Sequence, residues 1–147
     1  MFTHLLVPVD GTELSERATQ VSLDLARKLG ARVTGFVAEP MPPLPTMSAN
    51  VTAYQRDADA HLARTEEHAR SVLAAFAAKA QEAGVPFDGK FQRNDSVDDA
   101  IARAAGDFGC DLIVMVTHGR GAFGELLFGS HTKNVMSRCK VPLLVLH

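Results

Sequence analysis

The chain has 147 residues, 46% of them hydrophobic, and 15 Lys and Arg against 17 Asp and Glu leave a net charge of −2. That length and apolar content suit one domain over residues 1–147 with a complete core. The balanced charge supplies no basic field for nucleic acid or anionic lipid and no acidic tail. Apolar stretches such as Leu112 to Val116 reach about a quarter of the roughly 20 residues a membrane-spanning helix needs. Met1-Phe2-Thr3-His4 lacks the basic opening of a secretory signal, so a cytoplasmic protein, off the membrane, is expected.

His4 to Val9 is a bounded apolar run that predicts a first strand. Leu14, Ala18, Val21, Leu25 and Leu29 then recur at helical spacing, and Gly30 ends that helix. Arg32 to Ala38 predicts a second strand, followed by an irregular Pro-rich stretch from Glu39 to about Thr52. A long helix from about Tyr54 to Ala83 carries Leu62, Ala69, Val72, Phe76, Ala80 and Ala83 on one side and stops at Gly84. Pro86 to Gln92 predicts a weaker strand, interrupted by Asp88, Gly89 and Lys90. Ser96 reads as an N-cap with Asp99 three residues on, and Val97, Ile101, Ala104 and Phe108 line the buried side of the helix it opens. Asp111 to Thr117 is the most apolar strand, a glycine-rich loop runs from Gly119 to Gly129, and a short helix covers about Ser130 to Arg138. Val141 to Leu146 is the closing strand.

Five strands separated by four helices, the inner strands apolar throughout rather than alternating, predict a parallel sheet covered on both faces. This is a single doubly wound α/β domain. Right-handed crossovers place ligands beyond the C-terminal ends of such strands, where strand order reverses. The residues to inspect are therefore Asp10 to Thr12, Ala38 to Glu39, Asn94 to Ser96 and Thr117 to Ser130.

Cys110 and Cys139 are far apart and lack metal-ligand spacing, which reads as two free thiols, not a disulfide or a zinc site. His61 and His68 fall seven apart on one helix face, a spacing that suits a solvated stripe better than a metal pair, which needs three or four. No metal site is assigned.

The segment from Thr117 to Ser130 places four glycines between a buried strand and a helix start. Glycine lets backbone approach a ligand closely, and a helix N-terminus offers free N–H groups to phosphate. Ser130 and Thr132 add hydroxyl donors and Arg120 a charged contact; the plainer reading is a loop whose Ser130 only caps the last helix. Gly119, Gly121 and Gly124 spell GxGxxG. A dinucleotide site wants a helix opening inside that motif and an acid about 20 residues on, where Leu146 and His147 stand instead. Gly124 to Ser130 has P-loop spacing, but His131 replaces the phosphate-binding Lys. Neither a dinucleotide enzyme nor a Walker-type NTPase is expected.

Gly119, then nine residues, then Gly129-Ser130 resembles the loop of the universal stress protein family, G-x2-G-x9-G-[ST]. Leu5-Leu-Val-Pro8-Val-Asp10-Gly-Thr12 is similar to that family's first strand and turn, and Val141-Pro-Leu-Leu-Val-Leu146 to its last strand. The likeness covers essentially the whole chain. It implies a five-stranded sheet in the order 3-2-1-4-5, a homodimer through the last strand, Val141 to Leu146, and an adenine nucleotide, ATP or ADP or AMP with Mg²⁺, across strands 1 and 4. Carried over by residue, Pro8 and Asp10 would meet the nucleoside, Asp10 accepting from ribose hydroxyls. The backbone of Val37 would meet adenine and Met115 would pack on it. Gly119 and Gly129 would wrap the phosphates, and Ser130 with the N–H groups of His131 and Thr132 would bind them. Thr12, Thr117, His118 and Arg120 complete the candidate set. Val116 stands where the motif has its first glycine.

Asp10 also reads as a helix cap, with Glu13 completing a capping box, and His118 and His131 read equally as surface histidines. Hydrolysis needs a positioned base and a nucleophile, and one carboxylate near the site implies at most slow ATP turnover. A phosphoacceptor receiver would need an acidic cluster after strand 1, where only Asp10 stands. A dimeric scaffold without nucleotide is the competing expectation, motivated by Val116. The expected function is an adenine-nucleotide-binding sensor or adaptor whose Gly119 to Gly129 loop, and the irregular Glu39 to Thr52 stretch with its prolines and Met41 and Met47, order on binding and address a protein partner. That stretch reads equally as plain connection.

Overall fold

A computed structural model of the chain describes residues 1–116 and 130–147, the side chains of Ser130 and His131 excepted. The elements follow as β1 (His4–Pro8), α1 (Glu13–Leu29), β2 (Arg32–Glu39), α2 (Val51–Ala83), β3 (Phe87–Arg93), α3 (Val97–Asp107), β4 (Leu112–Val116), α4 (Ser130–Arg138) and β5 (Leu143–Leu146). All strand pairs are parallel and the sheet order is β3-β2-β1-β4-β5, the doubly wound arrangement expected. Crossing from β1 to its neighbours, the chain leaves toward β2 on one side and β4 on the other, and this reversal opens a crevice at the strands' C-terminal ends.

Strand alternation sorts the apolar residues onto two faces. Leu5, Val7, Val33, Val37, Leu112 and Val114 pack with Ala18, Leu23 and Ala26 of α1 and Ala69, Phe76 and Ala80 of α2. Leu6, Phe36, Ile113 and Met115 pack with Ala100, Ile101 and Ala104 of α3 and Val135 of α4. The central strands β1, β2 and β4 are buried on both sides, which is why their sequences show no alternation.

Several boundaries differ from expectation. Asn50 accepts from the Ala53 N–H at 3.1 Å, so α2 begins at Val51, three residues early. β2 runs on to Glu39 and β3 to Arg93 because the two remain in register to Glu39↔Arg93. That pairing overrides the poor strand propensity of Asp88, Gly89 and Lys90. β5 begins at Leu143, not Val141, since Val141 and Pro142 approach the sheet as irregular chain; the Pro142 carbonyl accepts from Ile113 N–H at 3.0 Å. Of the expected stripe on α2, Ala69, Phe76 and Ala80 are buried, whereas Leu62 in the first half is half-buried. The helix, about 50 Å long at 1.5 Å per residue, packs on the sheet chiefly through its second half.

Candidate functional site

β1 ends against β2, where Val9 N–H donates to the Phe36 carbonyl at 2.9 Å. The chain then turns through Asp10, Gly11 and Thr12 into α1. Thr12, not Asp10, is the N-cap: its hydroxyl oxygen accepts from Ser15 N–H at 3.4 Å. Asp10 instead ties the turn together. Its Oδ1 accepts from Thr12 N–H at 3.0 Å, Thr12 Oγ1 at 2.6 Å and Ser15 Oγ at 2.6 Å. The capping role expected of Asp10 with Glu13 thus belongs to Thr12, because Asp10 stands two residues before the N-cap position.

Among the described residues, nothing bonds Asp10 Oδ2. Burial works to raise the Asp10 carboxyl, but the hydrogen bonds from Ser15 and Thr12, with the charge of His68, outweigh it and hold the group below the ordinary aspartate value. A carboxylate with one oxygen engaged and one open accepts hydroxyl donors without a proton of its own to lose.

The described residues enclose a cleft of about 480 Å³ at the C-terminal ends of β1, β2 and β4, within the roughly 300–1,000 Å³ of small-molecule sites. Pro8, Asp10 and Thr12 form one wall and Met115 and Val116 another, while Thr132 closes the α4 end. Ala38, one of the strand-end residues singled out in the sequence, makes the apolar side with Phe36, Val97 and Ile101, which the sequence does not mark as site residues. Their hydrophobicity was plain, and Val97 and Ile101 were read as a buried helix face; which buried residues border a cleft depends on how far α3 stands from the strand ends. Ser15 was also missed, for its hydroxyl matters only once the turn closes.

The structure therefore brings Pro8, Asp10, Thr12, Met115 and Thr132 together around one cleft. The Val37 side chain points to the opposite face, packed in the α1–α2 core, leaving its backbone between the cleft-lining Phe36 and Ala38. Ser130 and His131 open α4, beside Thr132. Thr117, His118, Gly119, Arg120 and Gly129 lie outside the described residues. Asp95, just beyond β3, accepts from Met41 N–H at 3.0 Å.

The two histidines of α2 reach solvent, as expected of a solvated stripe, yet each also meets the chain at the end of β2. His68 Nδ1 lies 2.5 Å from Glu39 Oε1, and His61 Nε2 lies 3.3 Å from the Pro40 carbonyl. The helix spacing was read correctly, but the end of β2 passes under that face. Among the described residues, no group of three or more His, Cys, Asp or Glu is placed to hold a metal, and no helix is long and apolar enough to cross a membrane.

The universal stress protein family model matches residues 1–147. A curated Thermus aquaticus protein, "Universal stress protein in QAH/OAS sulfhydrylase 3'region", is 32% identical over 145 residues, covering 99% of this chain and 98% of its own. A universal stress protein solved in complex with cAMP superposes with a TM-score of 0.71 at 20% identity, over 99% of this chain and 97% of that one. One from Archaeoglobus fulgidus, in complex with dAMP, superposes with a TM-score of 0.66 at 17% identity, over 99% of this chain and 98% of that one. At those identities the likeness to the two structures is one of fold.

Proposed function

The chain belongs to the universal stress protein family, and from that premise we propose that the cleft binds an adenine nucleotide. The observation that carries the reading is an apolar slot bordered by a carboxylate with one open oxygen, at the point where strand order reverses. A planar base suits the space between Phe36, Ala38, Ile101 and Met115. A ribose hydroxyl suits Asp10 Oδ2. Phosphates suit the N-terminus of α4, where Ser130 and the N–H groups of His131 and Thr132 offer donors and a favourable dipole. Thr117, His118, Gly119, Arg120 and Gly129 are the loop residues that would cover them.

The two structural neighbours were solved with cAMP and dAMP, which supports an adenine base, a pentose and one phosphate as the part of the ligand the cleft selects. ATP, ADP and AMP all contain it, and Mg²⁺ would arrive on the phosphates. Asp10 is the only carboxylate among the described lining residues, which favours binding over rapid hydrolysis. In this reading the protein is a cytoplasmic sensor or adaptor, and the open edge of β5 pairs with a second copy to make the homodimer.

Titration of AMP, cAMP and ATP with Mg²⁺ into nucleotide-stripped protein tests the site. Saturable binding near one per chain is expected, weakened by Asp10→Ala and by Ala38→Phe, which puts a ring into the cleft. Failure of all three ligands to bind overturns the proposal. Val116, which lines the cleft where the family motif has glycine, favours a second reading as a scaffold without nucleotide. Binding gained only in Val116→Gly would establish that reading.

A further inference from the structure

The histidine face of α2 is unused by the nucleotide site, yet it closes on the backbone that builds it. Glu39 is the last residue of β2 and directly follows Ala38 of the cleft. Its side chain is only 10% exposed, and it is paired at 2.5 Å with His68 Nδ1, whose own side chain is 49% exposed. A carboxylate this deep is costly to leave without a partner, and an imidazole gripped at one nitrogen has its ring orientation set.

The ring's other nitrogen lies over the β1–α1 turn. A Cβ placed on Gly11 would stand 3.2 Å from His68 Nε2 and 2.9 Å from Val72 Cγ2. Gly11 has a φ of +83°, so the turn is bare backbone pressed against α2 on one side. Its other side holds Asp10 through the bonds to Thr12 and Ser15. His68 is thus wedged between the buried end of β2 and the residue next to Asp10, while neither His68 nor Glu39 lines the cleft.

Resting on the nucleotide reading above, we propose that Glu39 and His68 are a positioning pair: they brace Gly11 and so set where the Asp10 carboxylate stands at the cleft. The neighbouring charges leave the pair to itself. Arg93 of β3 is spent on Thr65 Oγ1 at 2.5 Å and the Leu62 carbonyl at 2.8 Å, one turn earlier on α2. Glu16 of α1 pairs with Lys79, three turns later. The carboxylates addressing His68 are Glu39 by contact and Asp10 through its field.

The test is a double-mutant cycle on AMP affinity with His68→Leu, Asp10→Asn and the two combined, each checked for a wild-type melting profile. His68→Leu is expected to weaken AMP about tenfold, the lower end of what losing an outer-shell support costs at metal sites. If His68 acts through Asp10, its effect shrinks to less than twofold in the Asp10→Asn background. Equal weakening in both backgrounds, or none in either, overturns the positioning role while leaving the nucleotide site intact. Wild-type protein that binds no AMP overturns both. Should His68→Leu fail to fold, the wild-type His68 Cε1–H resonance is followed across pH with and without AMP. A displaced titration midpoint supports the pair's coupling to the site, and superimposable curves refute it.

Discussion

Ser15 Oγ accepts the Asp10 N–H at 2.6 Å and donates to Asp10 Oδ1 at 2.6 Å, so one hydroxyl closes the β1–α1 turn on both the backbone and the side chain of the same residue. Ser15 is buried, and no water replaces it readily. Ser15→Ala leaves the Asp10 N–H without its partner and is expected to cost about 1–3 kcal/mol, read by urea denaturation. The same change removes a bond that favours the ionised carboxyl, so the Asp10 titration should move up toward the ordinary aspartate value. A carboxyl resonance that does not move in the variant would contradict this.

Gly11→Ala adds a Cβ 2.9 Å from Val72 Cγ2 at a φ of +83°. The backbone strain alone is worth about 1–3 kcal/mol, and the contact adds to it. Combining it with Val72→Ala should relieve the collision but not the strain, so the double variant is expected to lie closer to Val72→Ala than simple addition predicts. Thermal melting of the four proteins measures it.

Gly35 of β2 lies beneath an aromatic pair. The rings of Phe76 and Phe87 are 4.7 Å apart between centroids, and a Cβ on Gly35 would stand 2.8 Å from Phe76 Cδ1 and 2.8 Å from Phe87 Cζ. Gly35→Ala is an overpacking change, expected to destabilise by about 1–3 kcal/mol in a denaturation experiment. Phe87→Leu in the same chain should recover part of the loss.

His4 is 6% exposed. Burial, and then the Arg32 guanidinium, push its imidazole below the ordinary value; the Gly109 carbonyl and the charges of Asp111 and Asp88 pull upward without prevailing. Its Nδ1 lies 3.1 Å from Arg32 Nη2, a donor, and 3.2 Å from the Gly109 carbonyl, an acceptor, so a neutral ring satisfies one of them at a time. The unfolded chain takes up this proton near pH 6.5 and the folded chain only at lower pH. Stability from this group is therefore complete above about 6.5 and falls as pH drops below it. The urea midpoint is expected to decline from pH 7.5 to 5.5, and His4→Gln should flatten that decline. Parallel curves for the two proteins would assign the decline to other groups.

The long-range reading of the chain was largely legible. Gly30 and Gly84 end α1 and α2 where expected, Ser96 caps α3 by accepting from Asp99 N–H at 3.4 Å, and α4 spans Ser130–Arg138 as read. Asp99 does not complete a capping box, because its carboxylate turns to Arg103 at 2.9 Å. Asp10, Thr12 and Thr132, which border the cleft, were legible as candidates because position after a strand, or at a helix start, is local information, whereas Pro8 and Met115 entered through the family resemblance. Phe36 and Ile101 were legible only as core, while Ala38 was legible as a strand end. Glu39 and His68 lie 29 positions apart, and no local pattern links them.

By itself, the sequence determined the order and type of the elements, the parallel sheet with its two covered faces, and the turn and helix start from which the site is built. Those properties follow from hydrophobic periodicity, capping chemistry and glycine placement, all of which act over a few residues. The tertiary structure alone decided that Thr12 caps α1 while Asp10 gathers the turn, that β2 and β3 stay paired out to Glu39 and Arg93, and that His68 grips Glu39 above Gly11. Each of these depends on which distant segment lies within bonding reach, and that is settled only when the sheet is assembled and the helices are packed upon it.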